Sequence, residues 1–208
     1  MKTILAFDTA TSFGAVCALT PDRRDHAARA GDLLEAVDRL VGDPAEIDGI
    51  VVGRGPGSFT SIRIGLATAR TLALALGVPV AGASTLDGYA RGMAVIDARR
   101  GEVYAASYRH HRTTMEPVAI APAELAERLA ARREWGRDAM LAVGDGAVRF
   151  RAELERAGAA VPSDGSSAHC VSALMVCRLG RAREPVDRDA LLPDYRREPD
   201  AVPPPQQS

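Results

Sequence analysis

Aromatic residues are scarce in this chain. Phe, Tyr and Trp make up 4% of its 208 residues, leaving few rings on which nucleic-acid bases could stack. Charge of one sign is missing too: 26 Lys and Arg balance 27 Asp and Glu, for a formal net charge of -1. No overall field therefore draws the protein to nucleic acid or to an anionic membrane. The pairs Arg23-Arg24, Arg99-Arg100, Arg132-Arg133 and Arg196-Arg197 are scattered among acids and read as solvated surface. Cysteine is limited to Cys17, Cys170 and Cys177, odd in number and without C-x-x-C spacing. That excludes a disulfide framework or a zinc ribbon and fits a reducing compartment. Cys17 falls in an expected strand and the other two in an expected helix, as small core residues. Met1-Lys2 leads straight into a strand and no transmembrane run is apparent, so the expectation is a cytoplasmic protein without a membrane partner. Histidine occurs at 26, 110, 111 and 169, never as H-x-x-x-H, and no metal is assigned. What remains, 47% hydrophobic and 25% charged, is ordinary globular material, enough for one large or two small domains.

The most informative stretch is residues 50–83, IVVGRGPGSFTSIRIGLATARTLALALGVPVAGA. Ile50-Val51-Val52 is apolar without alternation, as a parallel strand covered on both faces would be. Gly53, Gly55, Pro56 and Gly57 punctuate the chain too densely for regular structure. Ser58 or Thr60 can cap the helix that follows. Gly77 ends that helix, and Val78-Pro79-Val80-Ala81 returns as a strand. The helix is apolar nearly all round, with Arg63 and Arg70 as its only charges, and such a helix is normally buried. A ridge of small residues runs along it: Ser61, Gly65, Thr68 or Ala69, then Leu72. Glycine in mid-helix costs about 1 kcal/mol against alanine, so Gly65 is expected where another part of the protein comes close. Two readings stand: close packing inside its own domain, or contact with a second subunit. The Gly-rich turn at a helix start could hold an anion, making Gly55, Gly57 and Ser58 weak candidates. It has neither the Walker A lysine nor G-x-G-x-x-G spacing.

Earlier in the chain, residues 4–7 and 14–19 read as a hairpin with Asp8-Thr9-Ala10-Thr11-Ser12 at its bend. Asp8 is a turn-capping acid on the plain reading and a weak cofactor-binding candidate on the other. Residues 27–41 place Leu33, Leu34, Val37, Leu40 and Val41 on one face of an amphipathic helix, with Glu35, Asp38 and Arg39 opposite. Asp43-Pro44-Ala45-Glu46 has the form of a capped helix start. Residues 93–108 repeat the opening: MAVIDARRGEVYAASY matches ILAFDTATSFGAVCAL once the turn is shortened by two, with Asp97 on Asp8, Gly101 on Gly14 and Val103 on Val16. A duplicated unit follows. Beyond it the pattern predicts a helix over 122–132, a strand over 140–144, a helix over 147–157, a weak strand at 159–161 and a helix over 168–180. Trp135 reads as a surface or hinge anchor. The tail from Pro199 lacks core-forming residues and is expected to be disordered.

ILAFDTAT, VVGRGPGSFTSIRIGLATARTLALALGVPVAGASTLD, AVIDARRGEVYAASY and LPDYR together resemble the TsaB (YeaZ-type) family of tRNA threonylcarbamoyladenosine biosynthesis. The strict part covers residues 50–87. The resemblance implies an α/β, two-lobed, duplicated actin-like fold (RNase H-like, of the actin/Hsp70/sugar-kinase superfamily) with mixed sheets flanked by helices. On that basis residues 1–92 form an N-terminal lobe, 93–190 a C-terminal lobe, and 191–198 pack back on the first. It further implies a catalytically silent subunit without catalytic residues or cofactor. Its partner is a metal-bearing TsaD-type paralogue, joined by a TsaE-type ATPase, and tRNA contact is indirect. The contact surface implied is Leu33, Leu34, Val37 and Val41 on the first helix with Ser61, Gly65, Thr68, Ala69 and Leu72 on the second, facing the paralogue or a second copy of the chain. Two other readings are an active actin-fold ATPase or phosphotransferase built on Asp8 and Asp97, and a metallopeptidase. The sequence departs from the family in three places. PDRRDHAARAG is too polar and brief for the family's third strand, and Ser61 and Thr71 each stand where glycine is usual.

Overall fold

The computed structural model describes residues 3–12, 15–20, 24–28, 33–89, 92–109, 112–131 and 140–196, with backbone only for 15–20 and 24–28. His110, His111, Trp135, the tail from 197 and the side chains of Cys17 and His26 lie outside the described residues.

Five strands make the first sheet: β1 (Ile4–Asp8), β2 (Ala15–Thr20), β3 (Arg24–Ala28), β4 (Gly49–Gly53) and β5 (Val80–Ala83), in the order β3-β2-β1-β4-β5. The second contains β6 (Gly92–Arg99), β7 (Glu102–Arg109), β8 (Arg112–Ile120), β9 (Met140–Val143) and β10 (Ala159–Ala160), in the order β8-β7-β6-β9-β10. The two orders are the same path taken twice. In both, the leading strand pairs antiparallel with its hairpin partner and parallel with the fourth strand. The register repeats as well: Asp8 lies opposite Val16, and Asp97 opposite Val103. Those are the pairs that the internal repeat superimposes.

Six α-helices complete the described chain: α1 (Leu33–Leu40), α2 (Phe59–Leu76), α3 (Pro122–Ala131), α4 (Asp145–Arg149), α5 (Arg151–Arg156) and α6 (Ala173–Arg181). Alternation along β1 and β4 sorts the first lobe's core into two faces, since successive side chains of a strand point to opposite sides. Leu5, Phe7, Ile50 and Val52 pack with Leu33, Ala36, Val37 and Leu40 of α1 and Ile62, Leu66, Ala69 and Ala73 of α2. Ile4, Ala6 and Val51 face the other way, onto Ala173, Val176 and Cys177 of α6. At the closest point Gly180 leaves room for Val51, whose Cγ1 would lie 2.1 Å from an added Cβ. So α6, from far beyond residue 92, covers the first sheet. The segment after it returns too: Val186 donates to Val80 O, and Leu191, 1% exposed, joins the α1–α2 face of the core.

Several sequence expectations are corrected. The third strand is present as β3. It is an edge strand, held on one side by β2, and an edge is tolerant of charge because half its backbone meets water. β8, which the pattern did not suggest, is its counterpart at the edge of the second sheet. With 24–28 in β3, the helix does not begin at 27; its described part is Leu33–Leu40. Leu34 points to solvent, 63% exposed, instead of sharing the face of Leu33, Val37 and Val41; one helical step turns it about 100° from Leu33. Asp43 does cap, its Oδ1 accepting from Ala45 N at 2.9 Å, but the result is a single 3-10 turn over Pro44–Glu46 because β4 starts three residues later. The helix expected over 147–157 is α4 and α5, broken at Phe150. The one over 168–180 is a 3-10 turn, Ser167–His169, and then α6, which leaves Cys170 outside a helix.

α2 starts and stops for local reasons. Gly77 closes it at φ 64°, its N–H donating to Ala73 O. Ser58 holds the N-cap position, yet its side chain makes no capping bond and instead accepts from the Ser61 hydroxyl at 3.1 Å. By length and hydropathy α2 could cross a bilayer. Here Ile62, Gly65, Leu66, Ala69 and Ala73 are buried against its own lobe.

Candidate functional site

The sequence candidates fall into two places. The first is the junction where β1, β4 and β5 end. Asp8, 1% exposed, accepts from Ala10 N on Oδ1 and from the Thr85 hydroxyl on Oδ2, both at 2.7 Å. Thr85 in turn accepts from Gly55 N at 3.1 Å. The carboxylate is roofed by Gly53, where an added Cβ would fall 1.7 Å from Oδ2. Burial pushes the Asp8 carboxyl up from its usual range, against the lowering effect of its bonds to Ala10 and Thr85. A fully buried carboxylate so engaged serves as a structural tie between three turns.

The Gly-rich turn is spent in the same way. Arg54 N donates to Ala83 O, Gly55 N to Thr85 and Ser58 N to Ala10 O at 2.8 Å. Gly57 lies so near the β1 turn that a Cβ would be 2.3 Å from Ala10 O. Gly55, with φ 100° and a cis bond to Pro56, lies beneath Ile62 and near Asp194 O. An anion at this helix start would have to compete with the chain itself for those amides. Of the weak candidates, Asp8, Gly55, Gly57 and Ser58 are brought together, into one internally bonded knot. Thr85 was missed by sequence reasoning; the signal was a hydroxyl just after β5, at the carboxyl end of parallel strands.

Asp97, the repeat of Asp8, has different company. Its Oδ1 accepts from Arg99 N at 2.9 Å, and its Oδ2 pairs with Arg149 at 2.8 Å. His169 is fully buried and accepts from Gly144 N on Nδ1 at 3.2 Å. Among the described residues no three His, Cys, Asp or Glu side chains are grouped so as to hold a metal ion.

The second place is the pair of N-lobe helices. Leu33, Val37, Val41, Gly65 and Ala69 are buried inside their own lobe, Ser61, Thr68 and Leu72 are half-buried, and Leu34 is exposed. Gly65 is small because of Thr9: an added Cβ would lie 2.5 Å from Thr9 Oγ1, which donates to Ser61 O at 2.6 Å. The ridge of small residues thus meets the turn after β1 at Gly65, the first of its two readings. The outward side of α2 is a different stripe. Thr60, Ile64, Ala67, Thr71 and Leu74 are all exposed and follow one another at spacings of four and three, so they line one side of the helix. Ile64 is 44% and Leu74 60% exposed. At its N-terminal end Phe59 stacks on Tyr195 with ring centroids 5.3 Å apart, and the Arg63 guanidinium lies 4.5 Å from the Phe59 centroid.

Known proteins of this shape and sequence can now be set beside it. YeaZ from Pseudomonas aeruginosa superimposes with a TM-score of 0.74 at 26% identity, over 94% of this chain and 100% of that one. The tRNA threonylcarbamoyladenosine biosynthesis protein TsaB of Bacillus subtilis is 29% identical over 220 residues, 94% of each chain. The protein of the same name from Escherichia coli is 39% identical over 127 residues, covering 51% of this chain and 54% of its own. Two lobes built on one repeated sheet path, bridged by a returning C-terminal helix, define a duplicated actin-like protein. The family model described as TsaD, tRNA N6-adenosine threonylcarbamoyltransferase, matches residues 21–157. The chain belongs to this threonylcarbamoyltransferase family, as a TsaB-type (YeaZ-type) member.

Proposed function

We propose that this chain takes part in forming threonylcarbamoyladenosine in tRNA, next to the anticodon, as a non-catalytic subunit that docks on a TsaD-type paralogue, with a TsaE-type ATPase joining the pair. The names of its Bacillus and Escherichia relatives support the pathway. The docking role rests on one observation: the apolar outer stripe Ile64, Ala67, Thr71 and Leu74 of α2, with Leu34 exposed on α1. A hydrophobic seam at heptad-like spacing suits the helices of a partner, and burying it would remove large side chains from water. The stripe uses the outer positions of α2, and Leu34 is exposed on α1. Gly65, Ala69, Leu33, Val37 and Val41 support it from beneath, and Ser61, Thr68 and Leu72 lie at its margin. Non-catalysis is supported by Asp8, whose carboxylate oxygens are both engaged within the fold.

Size-exclusion chromatography with the purified paralogue tests the reading. Wild type should co-elute. Ile64→Glu with Leu74→Glu should abolish the complex while leaving the circular dichroism melt nearly unchanged, because both positions are exposed. A complex that survives the double substitution overturns the docking face. Light scattering of the chain alone separates a homodimer using the same seam from a monomer awaiting the paralogue. Calorimetry with ATP and Mg²⁺ tests the silent role: micromolar binding that Asp8→Asn abolishes would replace it with an active ATPase.

A further inference from the structure

The two lobes touch at several places, among them the Tyr108 hydroxyl donating to Asp87 at 2.7 Å and buried Leu86 packing with Ala94 and Ile96 of β6. At the turns that follow β1 and β9 one carboxylate makes the link. Asp145, the first residue of α4, accepts on both oxygens. Oδ1 takes the Asp97 amide of β6 at 3.0 Å, and Oδ2 takes the Ser12 amide at 2.9 Å. Asp97 and Asp145 belong to the second lobe, whereas Ser12 belongs to the first-lobe turn that begins at Asp8. Each donor is a backbone N–H from the leading hairpin of its own half.

Asp145 is held rigidly from the second-lobe side. Gly144 before it, at φ 110°, is pressed so close to β6 that a Cβ would lie 2.2 Å from Val95 O. Gly146 after it would place a Cβ 2.9 Å from Ile96 C and 3.0 Å from Asp97 N. The Gly144 amide is anchored on buried His169, whose carbonyl accepts from the Tyr89 hydroxyl at 3.2 Å. Arg149, one turn along α4, pairs with Asp97. The turn carrying the carboxylate is therefore fastened to β6. Covalently, the chain passes between the lobes after β5 and again before α6. The Tyr108–Asp87 and Tyr89–His169 bonds lie beside those crossings in the chain, whereas the Asp145 bond to Ser12 ties the turn after β1. Hydrogen bonds to an ionised acceptor are about twice as strong as neutral ones.

We propose that the Asp145 carboxylate is an interlobe clasp: it holds the turn after β1 of the first half against β6 and α4 of the second, and its removal lets that side of the junction open. This rests on the lobe junction and is independent of the docking face on α2.

Amide hydrogen exchange by NMR, with small-angle X-ray scattering on the same full-length samples, tests the clasp. In Asp145→Ala, exchange at Ser12 should quicken about tenfold or more, and the radius of gyration should rise. The Ile50–Val52 amides of β4, which report on the fold, should stay protected. A purely local role at the start of α4 predicts faster exchange within α4 and none at Ser12. Ser12 protection within about twofold of wild type, with unchanged scattering, overturns the clasp. Should Asp145→Ala fail to fold, the isosteric Asp145→Asn decides: an amide group keeps one acceptor oxygen and turns a donor toward the other N–H. At least one of the Ser12 and Asp97 amides must then exchange faster, and equal protection at both overturns the proposal.

Discussion

A buried acid such as Asp8 leaves a thermodynamic signature. Its proton is held more tightly in the folded chain than at the ordinary value of 3.8, chiefly because burial disfavours the charge. Over the interval above 3.8 the native state then binds more protons than the unfolded one, so stability falls as pH climbs through it. Asp8→Asn removes that dependence while keeping an acceptor for Ala10 N. Urea unfolding at about pH 4 and about pH 7 should show wild type losing stability relative to the Asn variant as pH rises; a difference flat with pH would refute the assignment. Thr85→Val leaves both Asp8 Oδ2 and Gly55 N short of a partner and should lower the unfolding free energy by about 1–3 kcal/mol, read from the same curves. Asp8 itself was legible in the sequence, because D-T-A-T at a hairpin bend is a local signal. Thr85 was not. It lies 77 residues away, and only the crossover from β4 through α2 to β5 brings its hydroxyl to the acid.

At the scale of the element, α2 divides into what neighbours in sequence decide and what tertiary packing decides. Its stop is local: Gly77 stands at φ 64° with nothing near enough to touch an added Cβ. Gly77→Ala should therefore cost about 1–2 kcal/mol from backbone conformation alone, measured by chemical denaturation. Gly65 answers to packing. Alanine would gain about 1 kcal/mol of helix propensity, but here its methyl strikes Thr9 Oγ1. Gly65→Ala should destabilise the wild type and become neutral or stabilising once Thr9→Ala clears the space, a change of sign that a double-mutant cycle detects. The same division explains what the sequence failed to disclose. An almost uniformly apolar helix has small residues on a ridge, but periodicity does not say whether that ridge looks in or out. Thr9 turns it inward, leaving Ile64 and Leu74 outside. β3 and β8 escaped notice for a related reason: edge strands are fixed by backbone bonds to a neighbour, so RDHAA need show no apolar alternation.

The whole molecule was legible in its largest feature, the repeat. Asp8 and Val16 against Asp97 and Val103 anticipated two hairpins in the same register, and both sheets follow one order. The cover of the first sheet was not legible, since nothing in ALMVCRLGR says which sheet it will choose; Gly180 against Val51 decides that in space. The strap after α6 is part of the same closure. Leu191 is nearly fully buried, and its carbonyl accepts from Arg70 at 2.6 Å. Leu191→Ala should cost about 2–5 kcal/mol and quicken hydrogen exchange in α2. A melt shifted by less than about 2 °C would mean the strap is ornamental.

Because α6 and Leu191 complete the first lobe, that lobe cannot mature when its own strands leave the ribosome. Ile4, Ala6 and Val51 wait uncovered until α6 has been made, reversing the usual amino-end-first sequence of domain folding. A nascent chain stalled near residue 92 should consequently remain protease-sensitive and chaperone-bound, whereas one that extends past Leu191 can close the first lobe.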